Sequence, residues 1–432
     1  RRAVARRRRI HRWLFAWLPG MHEEPARARA RCRPMTQGRP TVAVLIALAW
    51  WLLLQTAGAR AAADETARPA IAPLPERLSD TGLFTAGSVT EITSRTLPFS
   101  PQYPLWSDGA TKRRWLSLPP GTFIDASNPD AWVFPVGTRL WKEFALGRRI
   151  ETRFIERVAD GTWRFATYVW NAAGTEATLA PAGGVPALVL EHASRGGSYA
   201  VPSEIDCRAC HEGAAVPVLG FSALQLSPDR DPLAPHAEPS AIDLRALVAQ
   251  GLVRNLPASL LEVPPRIAAR TPTERAALGY LHGNCGHCHS APSASDASVP
   301  VTVVFAQSVV RGNSSAQAVL RSLVDAASRF RPHGGADVPS RLVVPGQSTA
   351  SVLPLRMRSR DPRVQMPPLG TALPDDRAVA LIERWIDQDL NDNETIEQEE
   401  KLSWAATSNP QNPAASSGVT ARLGPSTPPR SR

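Results

Sequence analysis

Ile150-Glu151-Thr152-Arg153-Phe154-Ile155-Glu156-Arg157-Val158 runs toward Asp160-Gly161, and Thr162-Trp163-Arg164-Phe165-Ala166-Thr167-Tyr168-Val169-Trp170 returns. Both runs are rich in β-branched and aromatic residues, and an Asp-Gly pair between such runs is a strong hairpin signal. Trp163, Phe165 and Thr167 alternate with Arg164 and Ala166, a period of two that predicts one buried face. Working outward, Trp132 to Phe144 and Lys112 to Leu118 read as further strands, broken at Pro135, Gly137 and Pro119-Pro120-Gly121. Residues 101–202 are therefore expected to form an all-β domain of ordinary size. Its aromatic residues read as core, with a groove lined by Trp106, Trp115, Trp132 and Trp141 as the weaker alternative.

Beyond Pro202-Ser203 the texture changes. Ile242 to Leu252 and Ala316 to Val324 read as helices. Thr271-Pro272-Thr273-Glu274 is a capping box with Pro at the first helical position, opening a helix through Tyr280 and Leu281. Pro374-Asp375-Asp376 caps a last helix in which Ala378, Leu381, Ile382, Trp385 and Ile386 recur at helical spacing. The expected fold is multidomain α+β, an N-terminal all-β domain followed by a mainly α-helical cytochrome c-like haem region. Residues 203–270 form its first haem segment and 271–392 its second. Residues 64–100 read as linker and domain entry, and 393–432 as a disordered polar tail.

Those segments carry Cys207-Arg208-Ala209-Cys210-His211 and Cys285-Gly286-His287-Cys288-His289. Cys-x-x-Cys-His is the attachment pattern of c-type haem, in which two thiols hold the porphyrin and the His ligates the iron. Of the five cysteines, only Cys32 lies outside the pairs, so no thiol is spare for a structural disulfide. A zinc ribbon would place its pairs about 15–20 residues apart, far closer than Cys210 and Cys285. Two c-type haems are expected, with His211 and His289 as proximal ligands. Met366, in Met366-Pro367-Pro368-Leu369-Gly370, is the expected distal ligand of the second haem, because a thioether opposite His suits electron transfer. For the first haem, Met357, His192, His236, His282, His333 and an open sixth position all stand as alternatives.

The 432-residue chain carries a net charge of +10, with 49 Lys and Arg against 39 Asp and Glu. Residues 1–40 hold 12 Arg and 2 Glu, so the remainder sums to zero. A neutral body gives no support to nucleic-acid binding. Residues 35–63 read as an export signal: Arg39, the apolar run Thr41 to Leu54, then Ala61-Ala62-Ala63 before Asp64. A retained anchor is the weaker alternative, and residues 1–34 read as upstream sequence ahead of the true start.

From Leu78 to Leu390 the chain resembles a family of bacterial diheme c-type cytochromes of largely uncharacterised role. The likeness is carried by Leu78-Ser79-Asp80-Thr81-Gly82-Leu83-Phe84, Tyr103-Pro104-Leu105-Trp106-Ser107-Asp108-Gly109-Ala110, Trp141-Lys142-Glu143-Phe144, Glu151-Thr152-Arg153, both haem motifs, Arg356-Met357 and Met366 to Gly370. The resemblance implies two covalent haems, export, and a place for Met357 among the ligands ahead of His236. The function expected is periplasmic electron transfer between redox partner proteins, in the periplasm or at the inner membrane. The alternative is a diheme peroxidase-like oxidoreductase with an open iron at the Cys207–His211 haem.

Overall fold

The computed structural model describes residues 71–189, 198–234, 241–290, 303–330 and 340–391. The upstream segment, the export signal, the polar tail, Cys32, His192, His236 and His333 lie outside the described residues. The strands are β1 (Leu97–Pro98), β2 (Thr111–Ser117), β3 (Ile124–Asp125), β4 (Arg139–Leu146), β5 (Arg148–Arg157), β6 (Trp163–Trp170), β7 (Ala177–Leu179), β8 (Val185–Val189), β9 (Ser198–Val201) and β10 (Val253–Arg254). Six of them form one antiparallel sheet in the order β1-β2-β4-β5-β6-β7. β3 and β10 pair in parallel, and β8 pairs with β9.

The central hairpin is β5–β6, closing at Arg157 opposite Trp163. Its turn is longer than a two-residue Asp-Gly loop: the Val158 amide donates to the Thr162 carbonyl at 2.9 Å, and Asp160 Oδ1 accepts the Thr162 amide at 2.9 Å. Gly161, at φ 84°, supplies the left-handed step.

Both faces of the sheet are covered, where the alternation predicts one. Trp115, Trp141, Phe154 and Tyr168 pack on Leu78, Leu83 and Phe84, so part of the expected linker is core. On the opposite face Leu116, Leu140, Ile155 and Trp163 meet Val218, Phe221, Leu226, Leu244 and Leu247. Trp115, Trp132 and Trp141 are buried, as a core reading requires.

The helices are α1 (Glu204–His211), α2 (Leu244–Ala249), α3 (Ser259–Glu262), α4 (Pro272–Asn284), α5 (Asn313–Leu323), α6 (Val352–Arg358) and α7 (Asp376–Arg384), the last continuing into a π-turn over Trp385–Asp389. A separate core joins α4 to α7 around Leu278, Leu281, Val319, Ile382 and Trp385. The expected mainly α-helical cytochrome c-like region does not form. The described structure is mostly β-sheet and about 24% helical, and α4, at 13 residues, is its longest helix. Pro217, Pro228, Pro232, Pro257, Pro264 and Pro265 explain why, since each removes an amide donor and stops helix propagation. The intervening Val218, Phe221 and Leu226 are instead buried as irregular chain against the sheet.

Candidate functional site

α1 brings the first motif into position. Ser203 caps it: Ser203 Oγ accepts the Asp206 amide at 3.1 Å, and Asp206 Oδ2 accepts the Ser203 amide at 2.9 Å. Cys207, Cys210 and His211 then share one face through i, i+3 and i, i+4 spacing. The His211 ring lies 5.2 Å from Phe165 on β6. Its Nδ1 is 2.5 Å from the Pro217 carbonyl oxygen. Because a carbonyl only accepts, Nδ1 carries the proton and Nε2 keeps its lone pair. Burial pushes His211 down to about 4 against the pull of that carbonyl, helped by the nearby charges of Lys142 and Arg153.

The second motif follows α4. Thr271 caps this helix by accepting the Glu274 amide at 3.0 Å. The box is displaced by one residue: Glu274 Oε1 accepts the Arg270 amide, at 3.1 Å. At its other end Asn284 clamps the segment ahead of β2, accepting the Trp106 amide at 2.6 Å and donating to the Pro104 carbonyl at 3.3 Å. Cys285 packs against the helical core, where burial raises its thiol to about 12. The His289 amide returns to the Cys285 carbonyl at 2.9 Å. His289 Nδ1 faces the Val303 carbonyl at 3.1 Å and its ring lies 5.2 Å from Phe305. The tautomer argument for His211 holds for His289 too.

The motifs converge. Cys210 and Cys288 are hydrogen-bonded through their sulfurs, and His287 also reaches Cys210. The hydrogen bond to Cys288 and then burial raise the Cys210 thiol to about 12. The same bond holds Cys288 below its usual value. Around this junction opens a cleft of about 1290 Å³, whose lining includes Cys207, Cys210, His211, His282, His287 and Cys288. A single small-molecule pocket is typically about 300–1,000 Å³. The chain matches no protein family model, no curated protein and no solved structure.

Met366 is half-buried, and its amide donates to the Arg356 carbonyl at 3.0 Å. Pro367 to Ala372 line the cleft, and Asp108 holds this segment by accepting the Ala372 and Leu373 amides at 2.9 Å each. Met357 is buried in the helical core beside Leu281, Ile382 and Trp385. Among the described residues lining the cleft there is no methionine. His282 lines it, but its Nδ1 accepts the Gln307 amide at 3.1 Å. Among the described residues, no cluster of three or more His, Cys, Asp and Glu is arranged to hold a bare metal ion. No described helix is long and apolar enough to cross a membrane.

Lys142 and Arg153 also line the cleft, and sequence reading assigned them no role. Their signal was available: each sits two residues from an inward apolar side chain, Leu140 or Ile155, which places it on the same inward face of its strand.

The donor set fits c-type haem. Four cysteines are free of disulfides. Each motif histidine has its Nδ1 committed to a carbonyl, the second-sphere bond that orients a ligating imidazole. The cleft beside His211 offers apolar walls from Leu140, Ile155 and Phe165.

Proposed function

We propose that the protein is an exported electron-transfer protein with two covalent c-type haems, one on Cys207, Cys210 and His211, the other on Cys285, Cys288 and His289. The observation that carries this reading is the meeting of two distant motifs at Cys210 and Cys288. Two redox groups attached there would lie edge to edge, close enough for exchange without an intermediary. When bound, the haems supply one-electron chemistry at iron, tuned by axial ligand and burial. His211 and His289 offer Nε2, oriented by Pro217 and Val303. Phe165 and Phe305 shield the two imidazoles from water. Met366, supported by the Arg356 carbonyl, is proposed as the thioether ligand of the second haem. Met357, buried in the second motif's core, is not placed toward the first. We also propose the bacterial diheme cytochrome family as its relatives and redox partner proteins of the periplasm or inner membrane as its partners.

A second reading, a peroxidase-like oxidoreductase open at the first haem, is favoured by the absence of methionine among the described cleft-lining residues. The test is expression with haem-maturation machinery, followed by haem counting and spin-state measurement on the ferric protein. Two haems per chain, both low-spin, with Met366→Ala losing a thioether–iron signal, would support electron transfer. One high-spin haem that turns over peroxide would favour the second reading. A chain with no covalent haem would reject both.

A further inference from the structure

The inward face of the sheet is ordered in rows that cross the strands. Leu116, Leu140, Ile155 and Phe165 stand opposite one another on β2, β4, β5 and β6, an apolar row. The next row is Arg114, Lys142, Arg153 and Thr167. Like charges directly opposite on neighbouring strands destabilise a sheet, and here Lys142 sits between two guanidinium groups. The ring of Phe144 takes part of the charge, with Lys142 Nζ at 4.8 Å and the Arg153 guanidinium at 4.3 Å from its centroid. Arg153 is also held by the wholly buried Glu151, at 2.9 Å through Nε and 2.6 Å through Nη2, and Glu151 accepts the Tyr199 hydroxyl at 2.9 Å. Burial, and then Arg114, Arg153 and Lys112, press the Lys142 ammonium well below its usual value. Both rows line the cleft beside His211.

We propose that Arg114, Lys142 and Arg153 form a carboxylate-binding row on the cleft floor, which takes the two propionate groups of the haem attached at Cys207 and Cys210. The inference rests on the haem reading and deepens it. The floor is amphipathic in the same sense as the ligand: an apolar row for the macrocycle, a cationic row for its acidic edge. Neighbouring strands lie about 4.8 Å apart, so the row spans roughly twice that. That width suits two carboxylates on short arms better than one small anion. Arginine forks add geometric fit to the charge.

The experiment uses the full chain with and without haem, comparing thermal unfolding in succinate with sodium chloride at equal ionic strength. In the haem-free protein, succinate raises the Tm saturably by a few degrees. Lys142→Met unfolds at a higher temperature without succinate, because the like-charge row is relieved, and it loses the succinate response. Lys142→Gln serves as the second variant and also loses the response. In the haem-loaded wild type the response disappears, because the propionates occupy the row. In haem-loaded Lys142→Met the propionate vibrational bands shift and the midpoint potential of one haem moves. A succinate effect no larger than that of chloride, or one unchanged in both variants, overturns the carboxylate row. A full succinate response that persists with haem attached overturns the propionate assignment and makes the row a site for a free dicarboxylate. Haem counting on the same samples reports failure of the haem reading separately.

Discussion

At the scale of single residues, Gly283 shows why the second motif stands where it does. A Cβ there would meet the Tyr103 carbonyl oxygen at 2.3 Å, a backbone atom with no freedom to withdraw. In an isolated helix, Gly to Ala stabilises by roughly 0.5–1 kcal/mol. Here Gly283→Ala should instead destabilise by about 1–3 kcal/mol, the usual cost of overpacking. Denaturant unfolding of the variant decides the sign, and a more stable protein would mean that α4 does not press on Tyr103.

At the scale of elements, α4 depends on its first turn. Thr271→Ala should cost about 1 kcal/mol through the lost cap, read as a lower urea midpoint with an unchanged slope. Glu274 ties this turn to the rest of the helical core. It is buried, it pairs with Arg270, and it accepts the Trp385 indole N–H at 3.3 Å. Burial alone would raise its carboxyl, but the Arg270 bonds and the Trp385 indole outweigh that and hold it below the usual carboxylate range. The folded value is therefore below the unfolded one, about 4.3. The stabilisation is complete above the unfolded value and is lost as pH falls through the folded value. Below about pH 4 the wild type should lose stability more steeply than Glu274→Gln, measured by urea unfolding across a pH series. Parallel curves would show that Glu274 does not contribute to acid sensitivity.

At the scale of the whole molecule, the meeting of Cys210 and Cys288 is the contact that joins two distant segments. Cys288, exposed and held below its usual value, is the more ready thiolate. Mild oxidation of the haem-free chain should therefore give one intramolecular Cys210–Cys288 disulfide, seen by peptide mapping under non-reducing conditions. Cys288→Ser should remove it. A product linking Cys207 to Cys210 or Cys285 to Cys288 in its place would show that the motifs do not meet. With haem attached to all four thiols, the same oxidant should have no cysteine to act on.

Local chemistry was legible in the sequence because it depends on near neighbours. The β5–β6 hairpin, the caps at Thr271 and Asp375, and the two Cys-x-x-Cys-His turns each follow from a few adjacent residues. The helical haem region was misread because helical periodicity over short windows says nothing about what else competes for the same apolar residues. Val218, Phe221 and Leu226 were drawn onto the second face of the sheet, and the prolines between helices left no length for a bundle. Only tertiary structure decided that Cys210 meets Cys288, that Asn284 clamps Pro104 to Trp106, and that Arg114, Lys142 and Arg153 align. Register between strands and contact between remote segments are set by burying both faces of one sheet at once, a condition that no local pattern encodes.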